Sequence, residues 1–119
     1  MIVEMRTYQT RPGTRDRFLQ TFQELTLPEH YRLGMKIAGP FLAVDDPDTF
    51  FFMRGFQDMV EREELRRAFY EGALWKEQLE KVLMPMLLRF DVLLVDDPGG
   101  SLAWNEPATG GSKGDDIGC

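Results

Sequence analysis

Apolar and polar residues alternate from Ile2 to Gln9, with Val3, Met5 and Thr7 on one side and Glu4, Arg6 and Tyr8 on the other. That period of two predicts a strand. Arg11-Pro12-Gly13 reads as a turn, with Thr14 placed to cap a helix. Phe18, Phe22 and Leu25 then repeat at helical spacing, and Asp16 suits the positive end of the helix dipole. Pro28 removes a backbone donor and is expected to kink or end this helix. PEHYRL adds a short helical piece that Gly34 stops. Lys36 to Val44 reads as a second strand, and Pro40 confines it to a sheet edge. After the turn VDDPDT comes FFFMRGF, residues 50–56, a third strand that is apolar on both sides apart from Arg54. Asp58 and Glu61 have capping-box spacing, and Leu65, Ala68 and Phe69 form the stripe of the helix that follows. Gly72 interrupts it. Trp75, Leu79, Val82, Leu83 and Met86 mark a further helix, which Pro85 ends near Met84. Leu87 to Val95 is a fourth strand.

The order strand, helix, strand, strand, helix, strand predicts an α+β, ferredoxin-like fold with a four-stranded antiparallel sheet. Right-handed crossovers place the first and third strands in the centre and both helical regions on one face. Val3 and Met5 are the cleaner apolar set of the first strand and are assigned to the helices, as are Leu88, Phe90, Val92 and Leu94 of the fourth. The opposite face then displays Glu4, Arg6, Tyr8, Phe50, Phe52, Arg54, Phe56, Arg89, Asp91 and Leu93. So large an aromatic surface needs a cover. A second copy packed sheet to sheet supplies one, which predicts a homodimer through the face carrying Phe50, Phe52 and Arg54. Charges buried there must pair. They form either an ion-pair network fixing the register of the two sheets or the polar wall of a substrate cavity.

The chain has 119 residues, enough for one domain at residues 1–95. Residues 96–119 hold six of the eleven glycines and read as a flexible tail with Trp104 as its anchor. A net charge of −6 argues against nucleic acid or an anionic membrane as partner. No apolar stretch reaches membrane-span length, and MIVEMRTY lacks the basic-then-apolar pattern of a signal peptide, so a cytoplasmic location is expected. One cysteine, Cys119, and one histidine, His30, leave no metal-ligand spacing. There is no phosphate-cradling glycine loop, nucleophile elbow or dinucleotide fingerprint, so no cofactor is expected.

The stretch VEMRTYQTRPGTRDRFLQTF resembles the opening of NIPSNAP-family proteins, a charged and aromatic strand followed by a Pro-Gly turn and a helix. LPEHYRLG, FFFMRGF with FQDMVERE, and GALWKEQLEKVLMPML continue the resemblance in order, across residues 2–95. It implies the dimeric α/β-barrel superfamily, in which two ferredoxin-like subunits pack sheet to sheet. That superfamily includes cofactor-independent monooxygenases, isomerases, dehydratases and haem-binding proteins. Many of them hold a ligand between sheet and helices. Most NIPSNAP members have no assigned reaction, so the resemblance implies a fold more than an activity.

His30 is the only side chain whose ordinary pKa lies near neutrality, which makes it the candidate acid–base group. Its bland alternative is packing or surface, and its neighbours give no support for a haem axial role. Tyr8 is a candidate donor, or an interface aromatic. Arg6 and Arg54 are candidates to charge a substrate pocket. Trp75 resembles the tryptophan that NIPSNAP sequences carry early in their last helix, and it either lines that pocket or fills the core. EREELRR reads as a solvated helix face. The reading is a protein that binds a small organic molecule, with an oxygenase, isomerase or dehydratase type of activity as its catalytic form. The alternative is a non-catalytic interaction or regulatory module. A cavity of a few hundred Å³ with converging polar groups separates the two.

Overall fold

The computed structural model describes residues 1–106. Its elements run β1 (Ile2–Thr10), α1 (Arg15–Thr21), α2 (Leu27–Leu33), β2 (Lys36–Leu42), β3 (Thr49–Phe56), α3 (Met59–Tyr70), α4 (Glu80–Leu83) and β4 (Leu87–Asp96). The β-branched and aromatic residues crowded into β1 and β3 suit a pleated ribbon with neighbours on both sides. The four strands make one antiparallel sheet in the order β2-β3-β1-β4, the ferredoxin-like arrangement. Pro40 lies on an edge strand, and the β2–β3 register shifts between Ala38 and Phe41, around the residue with no N–H to give.

The helices depart from simple α geometry in two places. A π-helical segment, Phe22–Thr26, joins α1 to α2, and a second, Trp75–Leu79, leads into α4. Pro28 does not end the helix; the chain stays helical to Leu33, because the widened turn before it accommodates a residue that cannot donate. Gly34 stops it in the left-handed region, at φ 93°, with its N–H on the Tyr31 carbonyl. At the start of α3, the Asp58 carboxylate accepts from the Glu61 N–H at 2.8 Å, while Glu61 Oε1 accepts from the Gln57 N–H. Thr14 precedes α1 without a capping bond, since its hydroxyl donates to the Arg11 carbonyl.

Two of the four strands present the opposite faces from those expected. In β1 and β3 it is Glu4, Arg6, Tyr8, Phe50, Phe52, Arg54 and Phe56 that lie beneath the helices. Tyr8 pairs with Phe50, Arg6 with Phe52 and Glu4 with Arg54 across the strands. Phe50 meets the rings of Phe18 and Phe22, and Phe50, Phe52 and Arg54 are each at most 1% exposed. No partner can reach them, so a homodimer through that face is ruled out. The helices bring a large aromatic surface of their own, including Phe18, Phe22 and Phe69, which the phenylalanines of β3 match in bulk. Val3 and Met5 do not. In β4 the assignment of Phe90 and Val92 to the helix side agrees with their pairing to Tyr8 and Arg6.

Val3, Ala38 and Met53 form a second, smaller cluster on the other face, with Leu102 and Trp104 packed against it. The chain beyond β4 therefore crosses the sheet. Asn105 ties it to β2, donating its N–H to the Ile37 carbonyl at 2.7 Å and its side-chain amide to the Gly39 carbonyl at 2.6 Å. The Trp104 ring stands so close over Gly55 that a Cβ there would lie 2.6 Å from it. Residues 107–119 of the tail expected from the sequence lie outside the described residues. Among the described residues no helix is long and apolar enough to cross a membrane.

Candidate functional site

A cavity of about 320 Å³ lies between the sheet and the helices. Arg6 and Tyr8 of β1, His30 of α2, Arg54 of β3 and Trp75 of the second π-helical segment all line it. Phe22, Phe52, Phe69 and Leu83 make much of the rest of its wall apolar. The described helices leave β4 largely uncovered on this side, and Phe90 and Val92, which also line the cavity, are 47% and 38% exposed. The cavity therefore opens along β4.

Its polar end is organised by Glu4, which is fully buried. Glu4 Oε1 accepts from Arg6 Nη1 at 2.8 Å and from Arg54 Nε at 2.6 Å, while Oε2 accepts from Arg62 Nε at 2.7 Å. Arg66 Nε stands 3.6 Å from the same oxygen. Burial alone would raise the Glu4 carboxyl, but Arg54 and Arg6 outweigh it and hold it down at about 2. The carboxylate is thus ionised throughout the physiological range and keeps the guanidiniums gathered.

His30 occupies the inner edge of this group. It sits in α2, the helical piece expected over PEHYRL, and is 1% exposed. Nδ1 lies 2.6 Å from the Thr26 carbonyl, an acceptor only, so Nδ1 carries the proton. Nε2 must then accept from Arg54 Nη1 at 3.0 Å. Burial, with Arg54 second, pushes the imidazole down to about 3. The ring is neutral and both nitrogens are engaged. That leaves no lone pair for a ligand's proton or for an axial haem bond. Its effect is to hold Arg54 in place.

Arg54 Nη1 also donates to the Tyr70 hydroxyl at 3.3 Å, and Arg6 Nε to the Tyr8 hydroxyl at 3.2 Å. The two phenols respond differently. Burial leaves Tyr8 raised above the usual tyrosine range despite Arg6, whereas at Tyr70 the fields of Arg54 and Arg6 overcome burial and lower it. Trp75 meets Tyr70 edge to face and also touches Phe69. Arg62, Arg66 and Tyr70 were missed by the sequence reading, which took EREELRR as a solvated face. Their spacing of four residues carried the signal, since it puts all three on one side of α3 together with Phe69. Arg89 and Asp91 lie elsewhere, exposed and paired with each other at 3.2 Å. Among the described residues no three His, Cys, Asp or Glu side chains gather as a metal site.

The sequence pattern of the NIPSNAP family matches residues 3–89. The chain belongs to the NIPSNAP family. Solved structures agree at the level of the fold. An uncharacterized NIPSNAP domain protein from Burkholderia xenovorans superposes with a TM-score of 0.76 at 19% identity, over 87% of this chain and 100% of its own. A NIPSNAP family protein from Agrobacterium tumefaciens C58 gives 0.74 at 22% identity, over 84% and 95%. A protein described as an antibiotic biosynthesis monooxygenase gives 0.63 at 16% identity, over 82% and 98%. Among curated proteins, no significant match to this NIPSNAP chain is found.

Proposed function

We propose that this NIPSNAP protein binds a small organic molecule in the cavity between sheet and helices. The observation that carries the reading is the cavity itself. It has about 320 Å³ of space, apolar walls and converging polar side chains, Arg6, Arg54, Arg66 and Tyr70 among them, where a purely structural module would close its core. The π-helical segments support it too. Such segments recur at functional sites, and here each contributes residues to the cavity, Phe22 and Thr26 from one and Trp75 from the other. In this reading His30 is a positioning residue for Arg54, and Tyr8 and Tyr70 are the hydroxyls nearest a ligand's polar group. Native mass spectrometry of protein purified gently from its host tests it. A reproducible small-molecule adduct is expected. A ligand-free protein that also fails to retain any member of a broad metabolite extract would overturn it.

A catalytic form of the same reading rests on the arginines. Guanidiniums fixed in a water-poor site stabilise negative charge that develops on a bound molecule. That suits cofactor-independent chemistry of the oxygenase, isomerase or dehydratase type, in which the substrate supplies the reactivity. The structural neighbour described as an antibiotic biosynthesis monooxygenase lends this form support by analogy of fold alone.

We further propose a homodimer, through the face of the sheet away from the helices and the free edge of β4. Phe41 and Leu93 are exposed there, and among the described residues β4 pairs on one side only. A second copy against β4 would also cover the mouth of the cavity. Light scattering at micromolar concentration is expected to give twice the chain mass, and a monomer would refute the assembly.

A further inference from the structure

The cavity has more positive charge than its acids balance, and one of its cations is incompletely satisfied. Four guanidiniums, those of Arg6, Arg54, Arg62 and Arg66, surround the single buried carboxylate of Glu4. Glu63 approaches Arg62 Nη1 from the solvent side, at 3.8 Å, and is half exposed. Among the described residues, four guanidiniums against two carboxylates leave a net excess of two positive charges. Arg54 is 1% exposed, yet among the described residues its Nη2 has no hydrogen-bond partner, and neither has the buried Nε of Arg66. Buried donors of charged groups are rarely left idle, because the desolvation of each goes unrepaid.

The two guanidiniums are neighbours. Arg54 and Arg66 approach the same Glu4 carboxylate, from Oε1 and Oε2 respectively, and both guanidiniums lie against the ring of Tyr70, at 5.7 and 5.6 Å from its centroid. An acceptor placed between them would meet two charged donors and the Tyr70 hydroxyl. The apolar walls formed by Phe22, Phe69 and Leu83 leave the remainder of the cavity to a hydrocarbon or aromatic body. We infer that the ligand of this cavity is an organic acid, its anionic group seated on Arg54 and Arg66 and its apolar body directed toward the phenylalanines. This rests on the reading of the cavity as a ligand site and narrows it to a chemical class.

Calorimetric titration with cinnamate, cinnamamide and cinnamylammonium tests it, since the three share a body and differ in the polar group. Cinnamate is expected to bind about tenfold more tightly than the amide, the margin of one additional charge-assisted contact, and the ammonium not at all. Raising the salt should narrow the gap between acid and amide. Arg66→Gln should lose most of the preference for the acid while still binding the amide. Its side chain is one-third exposed and makes no hydrogen bond through Nε, so the fold does not depend on it. Arg89→Gln, in the exposed pair with Asp91, is the control and should change nothing. Equal binding of acid and amide, or an undiminished preference in Arg66→Gln, would overturn the organic-acid assignment and leave the cavity as a site for neutral molecules. Failure of all three compounds to bind folded protein would overturn the organic-acid assignment as well, and the metabolite-extract experiment above would then decide the ligand site itself.

Discussion

The buried, neutral His30 makes the stability of this protein fall with pH from 6.5 downward, beginning above the range in which ordinary carboxylates titrate. Its folded pKa is pushed from the ordinary 6.5 down to about 3. Below pH 6.5 the unfolded chain protonates a histidine that the folded chain keeps neutral, so the unfolded state binds more protons and stability falls as pH falls. The contribution is complete above the unfolded value and is lost progressively down to the folded one. At pH about 5 the span is about 1.5 pH units, which at about 1.36 kcal/mol each is a loss of about 2 kcal/mol. The upper limit, reached near pH 3, is about 5 kcal/mol. Urea unfolding followed by tryptophan fluorescence should show the midpoint falling by about 1–2 M between neutral pH and pH about 5. His30 is the only histidine in the chain, which isolates the effect from other imidazoles. In His30→Gln, which cannot take up the proton, less than half of the shift should remain. An unchanged midpoint in the wild type would refute the neutral, doubly engaged imidazole, and an undiminished shift in the variant would assign the effect to carboxylates.

Glu4→Gln should destabilise the protein by about 3–5 kcal/mol, since it strips the one buried anion from the guanidiniums gathered on it, and thermal unfolding measures the loss. The ionised Glu4 also steepens acid unfolding: its folded pKa of about 2 lies below the ordinary 4.5, so its contribution is present above pH 4.5 and lost as pH falls toward 2. Phe52→Ala opens a void among Tyr8, Phe22 and Phe50 and should cost about 3–5 kcal/mol by the same measurement. Gly55→Val should push the Trp104 ring off the sheet, visible as a red-shifted and more quenchable tryptophan emission while the cavity on the other face still binds its ligand.

Element order was legible because each signal is local. Alternation in Ile2–Gln9, the cap at Asp58, Gly34 as a stop and Pro40 on an edge depend only on neighbours along the chain, and all correspond to features of the fold. The facing of β1 and β3 was not local. A strand whose two sides are Val3-Met5 and Glu4-Arg6-Tyr8 points its polar side outward by any hydrophobicity rule. Here tertiary pairing overrides the rule, because Arg54 and Arg62 reach Glu4 from distant parts of the chain and make its burial tolerable. The same non-locality hid half of the cavity. Arg6, Tyr8, Arg54, His30 and Trp75 could be singled out one at a time, but nothing in the sequence says that His30 spends its lone pair on Arg54. The π-helical segments left no recognisable trace, since one extra residue in a turn alters no composition or period strongly enough to read.

Those two segments have a consequence for how the cavity came to exist and how it could be lost. Each residue of an α-helix turns the chain by about 100°, and a π-helical turn absorbs one more residue than an α-turn without moving what lies beyond it. Deleting a single residue between Phe22 and Thr26 would restore regular geometry and leave the downstream helix in its place. Phe22, however, would turn relative to Thr26, and the part of the cavity wall that the two share would change. The same deletion between Trp75 and Leu79 would withdraw the indole from Tyr70. Neither change removes an arginine, and both helices would become more regular. The cavity of this protein is in that sense an insertion, carried as two surplus backbone units, and a lineage could discard it by shortening without ever mutating an arginine.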